Sequence, residues 1–167
     1  DNTENSLTEG TAFSTTDEPN AALFCNSDLS IYGGGSLTVK GNYNDGISSD
    51  DGLIIKSGTI SVTSADDGIR GKDYLIVRKG NITINSKGDG LKSDNETNAS
   101  LGFIAIDSGI VKINASAGDG ISAATTLSIS DGSFTVLTGT YAGKGEEETN
   151  PPGPGPGGGG GYSGTIS

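Results

Sequence analysis

Aspartate residues recur at a fixed interval through the middle of the chain. Asp45, Asp67 and Asp89 lie 22 residues apart, and each is followed by glycine and then by Ile or Leu. A fourth copy, Asp119, follows after 30 residues, so an insertion interrupts the third repeat. Stacked carboxylates offer the oxygen ligands that hard divalent cations prefer. A fixed period of this size also indicates a repeat architecture.

A second acidic corner repeats with the same period, and it suggests that cations lie between the repeats. Unit charges stacked at roughly 4.8 Å repel by about 1 kcal/mol in water. The chain has no His and one Cys, which disfavours zinc and copper and leaves calcium as the best candidate. The alternative is that each Asp-Gly pair is ordinary turn chemistry. We predict that Ca²⁺ ions bridge adjacent repeats through Asp45, Asp50, Asp51, Asp66, Asp67, Asp73, Asp89 and Asp94.

Basic and aromatic side chains accompany the acidic corners. Arg70 and Lys92 are one period apart beside the aspartates, and they either offset the local negative charge or hold an acidic sugar. Tyrosines next to the acidic corners offer flat surfaces for sugar rings. The residues predicted to bind ligand are Arg70, Lys92, Lys72, Tyr43 and Tyr74.

The residues between the aspartates alternate apolar and polar, as half-buried strands do. Leu53-Ile54-Ile55 and Ile60-Ser61-Val62 are examples that recur in each repeat, and a third short apolar position follows each Asp-Gly. Such a repeat cannot bury its inward side chains alone, whereas stacked repeats bury a continuous column. The sequence therefore predicts an all-β fold, a right-handed single-stranded parallel β-helix of about five coils, similar to that of polysaccharide lyases.

Two local features of the coil are also predicted. The glycine after each repeated aspartate is expected to turn a corner with positive φ. The insertion, at about residues 96–102, is expected to loop out after Asp94 and to wall a groove.

Composition sets limits on domain organisation and partners. The 167 residues carry a net charge of −11, which disfavours a general nucleic-acid binder because such proteins need a basic face. No apolar run approaches a membrane span. We predict an N-terminal linker or cap at 1–19, the β-helix at 20–145 and a Pro/Gly-rich tail at 146–167. Polar ends of this kind are typical of secreted or cell-surface modules, and an exposed helix end is expected to permit a homodimer unless the termini cap it.

The repeated units NDGISSDDGL, SADDGIRGKD and KGDGLKSDN resemble those of a bacterial carbohydrate-binding β-helix family. Its characterised member is a clostridial cellulose- and polygalacturonate-binding protein. The resemblance covers roughly residues 20–145 and implies a right-handed parallel β-helix with bound calcium, displayed outside the cell. It also implies binding to cellulose and to acidic plant polysaccharide such as polygalacturonate.

Three functions compete at this point. The first is a non-catalytic polysaccharide-binding module. The second is a calcium-dependent pectate-lyase-like enzyme, in which Arg70 or Lys92 is the base and Ca²⁺ acidifies the proton next to the uronate carboxylate. Five coils without long loops are few for a deep catalytic cleft, which favours the binding module. The third is a structural stalk or adhesin that binds no sugar.

Overall fold

The computed structural model describes residues 3–10 and 21–139, and these ranges contain sixteen β-strands. The first eight strands are β1 (Glu4–Thr8), β2 (Ala21–Cys25), β3 (Leu29–Ile31), β4 (Ser36–Gly41), β5 (Asp45–Ser49), β6 (Gly52–Ile55), β7 (Thr59–Ser64) and β8 (Ile69–Gly71). The others are β9 (Tyr74–Val77), β10 (Asn81–Ser86), β11 (Leu91–Ser93), β12 (Phe103–Ile106), β13 (Ile110–Ala115), β14 (Ile121–Ala123), β15 (Leu127–Ile129) and β16 (Ser133–Thr138).

The strands form three parallel sheets. One sheet has the order β1-β4-β7-β10-β13-β16, the second β14-β11-β8-β5-β2 and the third β15-β12-β9-β6-β3. From β2 onward, three consecutive strands belong to the three different sheets. The fourth strand lies in the same sheet as the first and pairs with it, one coil further along. This is a parallel β-helix of about five coils with three strands each, which confirms the predicted fold class.

The register of the strands follows the period of the sequence. Ile47 pairs with Ile69, and Ile69 pairs with Leu91, so equivalent apolar residues stack between coils. These three side chains have no exposed surface. Full burial of such a side chain stabilises the fold by about 1.5–3 kcal/mol. The interior is therefore one continuous column of Ile, Leu and Val, and the polar residues that alternate with them point outward.

The glycines that follow the repeated aspartates correct one prediction. Among the described residues, positive φ occurs at a different corner, for example at Gly58 (117°) and Gly80 (150°), and not at Gly46, Gly68 or Gly90. A Cβ on Gly68 would lie 2.4 Å from Cγ2 of Ile84 and 2.5 Å from the carbonyl oxygen of Gly90. Glycine is needed after the aspartates because neighbouring coils approach closely there, and the backbone is not left-handed.

The predicted insertion leaves and rejoins the coil between β11 and β12. The amide of Asn95 donates to the Lys72 carbonyl at 3.0 Å, and the amide of Gly102 donates to the Asp73 carbonyl at 2.6 Å. Asn95 Oδ1 accepts from the amides of Thr97 and Asn98, both at 3.1 Å. The loop is thus closed at its base by backbone hydrogen bonds to the previous coil.

The ends of the chain are described only in part. β1 lies inside the segment predicted as a linker or cap, and it pairs in register with β4. The rest of that segment and the predicted tail at 146–167 lie outside the described residues, so the domain boundaries stay predictions. The part of the chain that the structure describes contains no helix long and apolar enough to cross a membrane.

Candidate functional site

The repeated aspartates form a hydrogen-bonded column, here called the aspartate ladder (Asp45, Asp67, Asp89 and Asp119). The amide of Asp67 donates to Asp45 Oδ1 at 3.1 Å, and the amide of Asp89 donates to Asp67 Oδ1 at 2.8 Å. The amide of Asp119 donates to Asp89 Oδ1 at 2.8 Å, across the insertion. Each of these bonds engages one carboxylate oxygen and leaves the second oxygen for another partner.

Three carboxylates converge at the N-terminal end of the ladder. One oxygen each of Asp45, Asp66 and Asp67 lies within 4.8 Å of the others, and this group is called the acidic cluster. Asp45 and Asp67 are buried, with 6% of their surface exposed, while Asp66 is exposed. Burial and then the charge of Asp67 raise the pKa of Asp45 to about 7. Burial and then Asp67 also raise the pKa of Asp66. A bound cation would relieve this repulsion.

Gly88 makes room for the acidic cluster. It occupies the position one coil beyond Asp66, and a Cβ there would lie 2.5 Å from Oδ1 of both Asp66 and Asp67. Because Gly88 has no side chain, the two carboxylates can lie directly against its backbone. Three carboxylates without His or Cys suit a hard cation such as Ca²⁺. The residues present therefore fit a calcium ion held by Asp45, Asp66 and Asp67.

Lys92 supplies a cation at the next step of the ladder. Its Nζ lies 2.9 Å from Asp67 Oδ2 and 3.2 Å from Asp89 Oδ2. Burial alone would lower the pKa of Lys92, but the hydrogen bond and the charge of Asp67, together with Asp89, outweigh it and raise that pKa. The ammonium therefore bridges two stacked carboxylates at a position where a Ca²⁺ ion was predicted.

Arg70 is also held in an ion pair. Its Nε donates to Asp94 Oδ2 at 2.9 Å, and its Nη1 donates to Ser48 Oγ at 3.3 Å. Burial acts to lower the pKa of Arg70, yet the hydrogen bond and the charge of Asp94 raise it. Charge compensation, one of the two interpretations of Arg70 and Lys92, is thus observed, and sugar binding by them stays a prediction.

The other predicted metal ligands do not belong to the acidic cluster. Asp73 Oδ1 accepts from Nδ2 of Asn95 at 2.6 Å, so an amide takes the place of a cation there. Asp51 is half-buried and Asp50 is exposed at the same corner. Of the eight predicted aspartates, the structure brings three together in the acidic cluster, and it pairs Asp89 with Lys92 and Asp94 with Arg70.

The predicted sugar-binding tyrosines have different surroundings. Tyr74 stacks on Phe103 with ring centroids 5.6 Å apart, and its hydroxyl donates to Asp28 Oδ1 at 3.1 Å. Tyr43 is 48% exposed, and Lys72 is exposed. Sequence reasoning missed Phe103 as a stacking partner because the insertion lengthens the interval between it and Tyr74, although the two pair in register.

Three comparisons bear on this arrangement. The sequence model of the carbohydrate-binding domain-containing protein family matches residues 1–155. A curated carbohydrate-binding domain-containing protein of Acetivibrio thermocellus is 47% identical over 122 residues, which are 73% of this chain and 42% of that protein.

A solved structure, described as the polysaccharide lyase-like protein from C. thermocellum in a gadolinium derivative, is similar with a TM-score of 0.65 and 26% identity. The similarity covers 82% of this chain and 62% of that one. This chain therefore spans less than two thirds of the length of either protein. The match of the family model over most of the sequence shows that the chain belongs to the carbohydrate-binding domain-containing protein family.

Proposed function

We propose that this chain is a non-catalytic, calcium-containing module that binds plant cell-wall polysaccharides, namely cellulose and acidic sugars such as polygalacturonate. The acidic cluster is the observation that carries the proposal. Burial, and then the neighbouring carboxylates of Asp67 and Asp66, raise the pKa of Asp45 to about 7, and a cation at the cluster would relieve this effect. Membership of a carbohydrate-binding domain family supports a carbohydrate as the ligand.

The proposed ion would serve both the fold and the ligand. Calcium accepts six to eight oxygen ligands, so three aspartates leave positions for water and for the oxygens of a sugar acid. The carboxylate of a uronate can then bond to the ion. Lys92 and Arg70, whose side chains are 28% and 21% exposed, lie beside the same edge and add positive charge.

The state of the two basic residues favours binding over catalysis. A lyase base must be unprotonated to abstract a proton, and its pKa must lie near the working pH. Ion pairs with aspartates instead raise the pKa of both Arg70 and Lys92. Neither side chain is suited to the role of base in these surroundings.

Chelation and a single substitution test the proposal together. Electrophoresis through a gel that contains polygalacturonate should retard the protein in Ca²⁺, and EDTA should abolish the retardation. Asp66→Asn removes one carboxylate of the acidic cluster and should weaken Ca²⁺ binding at least about tenfold, with the same loss of retardation. Asp131→Asn makes the same charge change at an exposed position on another corner and should behave like the parent protein. Retardation of the parent protein that persists undiminished in EDTA would refute a calcium-dependent module.

A pectate-lyase-like enzyme is the alternative function, because the solved relative is described as polysaccharide lyase-like. A separate assay tests it. Incubation with polygalacturonate and Ca²⁺ should give a flat ultraviolet trace, without the absorbance of unsaturated uronates. A sustained rise that is lost in Lys92→Ala or Arg70→Ala would establish the lyase instead.

The proposal extends to location and self-association. A module for plant cell-wall polysaccharide is expected to be secreted or displayed on the cell surface, where it can meet an insoluble ligand. The last described coil exposes 46% of Leu127 and 38% of Ile129, and a homodimer would cover such a surface. Sedimentation velocity over a range of concentrations distinguishes a dimer from a monomer.

A further inference from the structure

The corner between β3 and β4 is longer than its counterparts. It spans four residues, 32–35, whereas the equivalent corners before β7, β10, β13 and β16 span three residues each. Three residues therefore suffice for this turn, and the coil geometry does not require the fourth. The longer corner has the sequence Tyr-Gly-Gly-Gly, and Gly33 has a φ of 145°.

A cavity of about 380 Å³ opens beside this longer corner, between β1, β4 and the next corner along the helix. Its volume is typical of small-ligand sites. Among the described residues, those that line it include no Asp, Glu, Lys or Arg, in contrast to the acidic cluster. The nearest charges are Glu4, which lines an adjoining cavity, and Lys56 beside Tyr32, so the lining itself favours an uncharged ligand. The polar side chains that line it, all hydrogen-bonding and neutral, belong to Thr3, Asn5, Tyr32, Ser36, Ser57 and Thr59.

Tyr32 presents an aromatic ring at this cavity, and 73% of its surface is exposed. Lys56 Nζ lies 5.7 Å from the ring centroid, within the range of a cation–π contact. The negative face of an aromatic ring attracts C–H groups such as those on the flat side of a pyranose. The hydroxyls of the same sugar need neutral donors and acceptors at the edge of the ring, and the lining residues provide them.

The wall of the cavity is held in place before any ligand arrives. The amide of Gly33 donates to Ser57 Oγ at 3.0 Å, and Ser57 Oγ donates to the Gly33 carbonyl at 3.1 Å. Asn5 Nδ2 donates to the Ser36 carbonyl at 3.3 Å. A wall that is already ordered loses little entropy on binding, which favours affinity.

We propose that this cavity, here called the Tyr32 pocket, is a subsite for an uncharged sugar ring of a polysaccharide chain. It is separate from the acidic cluster in position and in chemistry. The inference rests on the proposed function and deepens it, because it assigns cellulose-type sugars to the Tyr32 pocket and leaves acidic sugars to the acidic cluster.

Calorimetric titration with cellohexaose, an uncharged β-1,4-linked glucose oligomer, tests the assignment. Tyr32→Ala should weaken cellohexaose binding at least about tenfold, which corresponds to about 1.4 kcal/mol. Tyr32→Phe keeps the ring and should retain most of the affinity. Leu137→Ala removes an exposed apolar side chain from the last described coil and should leave the affinity unchanged. Binding should persist in EDTA, since the described residues that line the pocket include no carboxylate.

A parallel titration with trigalacturonate in Ca²⁺ separates failure of the pocket from failure of the proposed function. Unchanged trigalacturonate binding in Tyr32→Ala, together with the loss of cellohexaose binding, supports the pocket. Equal cellohexaose affinity in Tyr32→Ala and the parent protein would overturn the pocket, as would the absence of cellohexaose binding while trigalacturonate still binds. Failure of the parent protein to bind either sugar would overturn the proposed function, and the pocket with it.

Discussion

Asp45 and Lys92 show two ways in which one column of carboxylates accommodates its charge. Between Asp67 and Asp89, the Lys92 ammonium lies within 3.2 Å of an oxygen of each carboxylate and offsets their charge. At Asp45, burial and then the charges of Asp67 and Asp66 raise the pKa of the carboxyl group. Unit charges a few ångströms apart interact by about 1 kcal/mol in water and by several times that near a protein surface. The metal-free protein should therefore be most sensitive to pH at Asp45.

In EDTA, the stability of the protein should fall as the pH rises from about 4 to about 7. The pKa of Asp45 is about 7 in the folded protein, against about 3.9 in an unfolded chain. Between these values the native state holds a proton that the unfolded state has lost, so the free energy of unfolding decreases with pH. The slope for one proton is at most about 1.4 kcal/mol per pH unit. Urea unfolding at several pH values measures it.

Asp45→Asn isolates this effect, because the amide oxygen can still accept from Asp67 while the titrating group is gone. The variant should show a flatter dependence of stability on pH in EDTA. Asp131→Asn, at an exposed corner, should keep the slope of the parent protein. A slope that is the same in Asp45→Asn and the parent would contradict the assignment to Asp45.

The corners, more than the strands, distinguish one coil from the next. Each corner must place the next strand directly beside its equivalent in the previous coil. The corner backbone is therefore constrained, while its side chains are free to vary. Gly88 follows Asp66 in one column, and its missing side chain gives the acidic cluster its space. The longer corner at 32–35 opens the Tyr32 pocket on another edge. Both candidate sites are thus local departures from a regular repeat.

Gly88→Ala should weaken Ca²⁺ binding at least about tenfold. The new Cβ would lie 2.5 Å from oxygens of Asp66 and Asp67, and these carboxylates must move away from it. The φ of Gly88 is not positive, so alanine adds no left-handed strain. Calorimetric titration of the metal-free protein with CaCl₂ measures the change. Gly10→Ala is the matched control, because a Cβ there would meet none of the described residues within 4 Å. Equal Ca²⁺ affinity in the two variants would exclude the crowding argument.

Across the whole molecule, burial decreases toward the last described coil. Leu75 and Leu127 occupy equivalent positions in one sheet, connected through Ile104. Leu75 has no exposed surface, whereas 46% of Leu127 is exposed. Each coil is stabilised by its two neighbours, so a coil at the edge of the described stack has less support than a central coil.

Leu75→Ala should lower the free energy of unfolding by about 2–5 kcal/mol, because the substitution leaves a cavity in the central column. Leu127→Ala removes the same atoms from a half-exposed position and should lower it by less than about 1 kcal/mol. Urea denaturation of both variants and the parent gives the comparison. Equal losses would mean that the last coil is covered as fully as the central ones.

The fold was predictable from the sequence, while only part of the site was. The register of Ile47, Ile69 and Leu91 follows from a period that the buried column enforces, since any slip would expose it. The directions of the side chains at the corners depend instead on individual hydrogen bonds and on the space that neighbouring residues leave. The reach of Lys92 to Asp67 and the room above Gly88 leave no trace in the spacing of the residues, so the sequence could not say which carboxylates meet.

The aspartate ladder also makes the protein extensible by whole units. Each rung joins the amide of one aspartate to the carboxylate of the aspartate before it, so a 22-residue segment carries one donor and one acceptor. A duplicate of residues 67–88 placed after Gly88 would meet the original Asp67 with its amide and Asp89 with its carboxylate. Gene duplication or engineering can therefore lengthen the stack in steps of one coil, about 4.8 Å, without breaking the ladder.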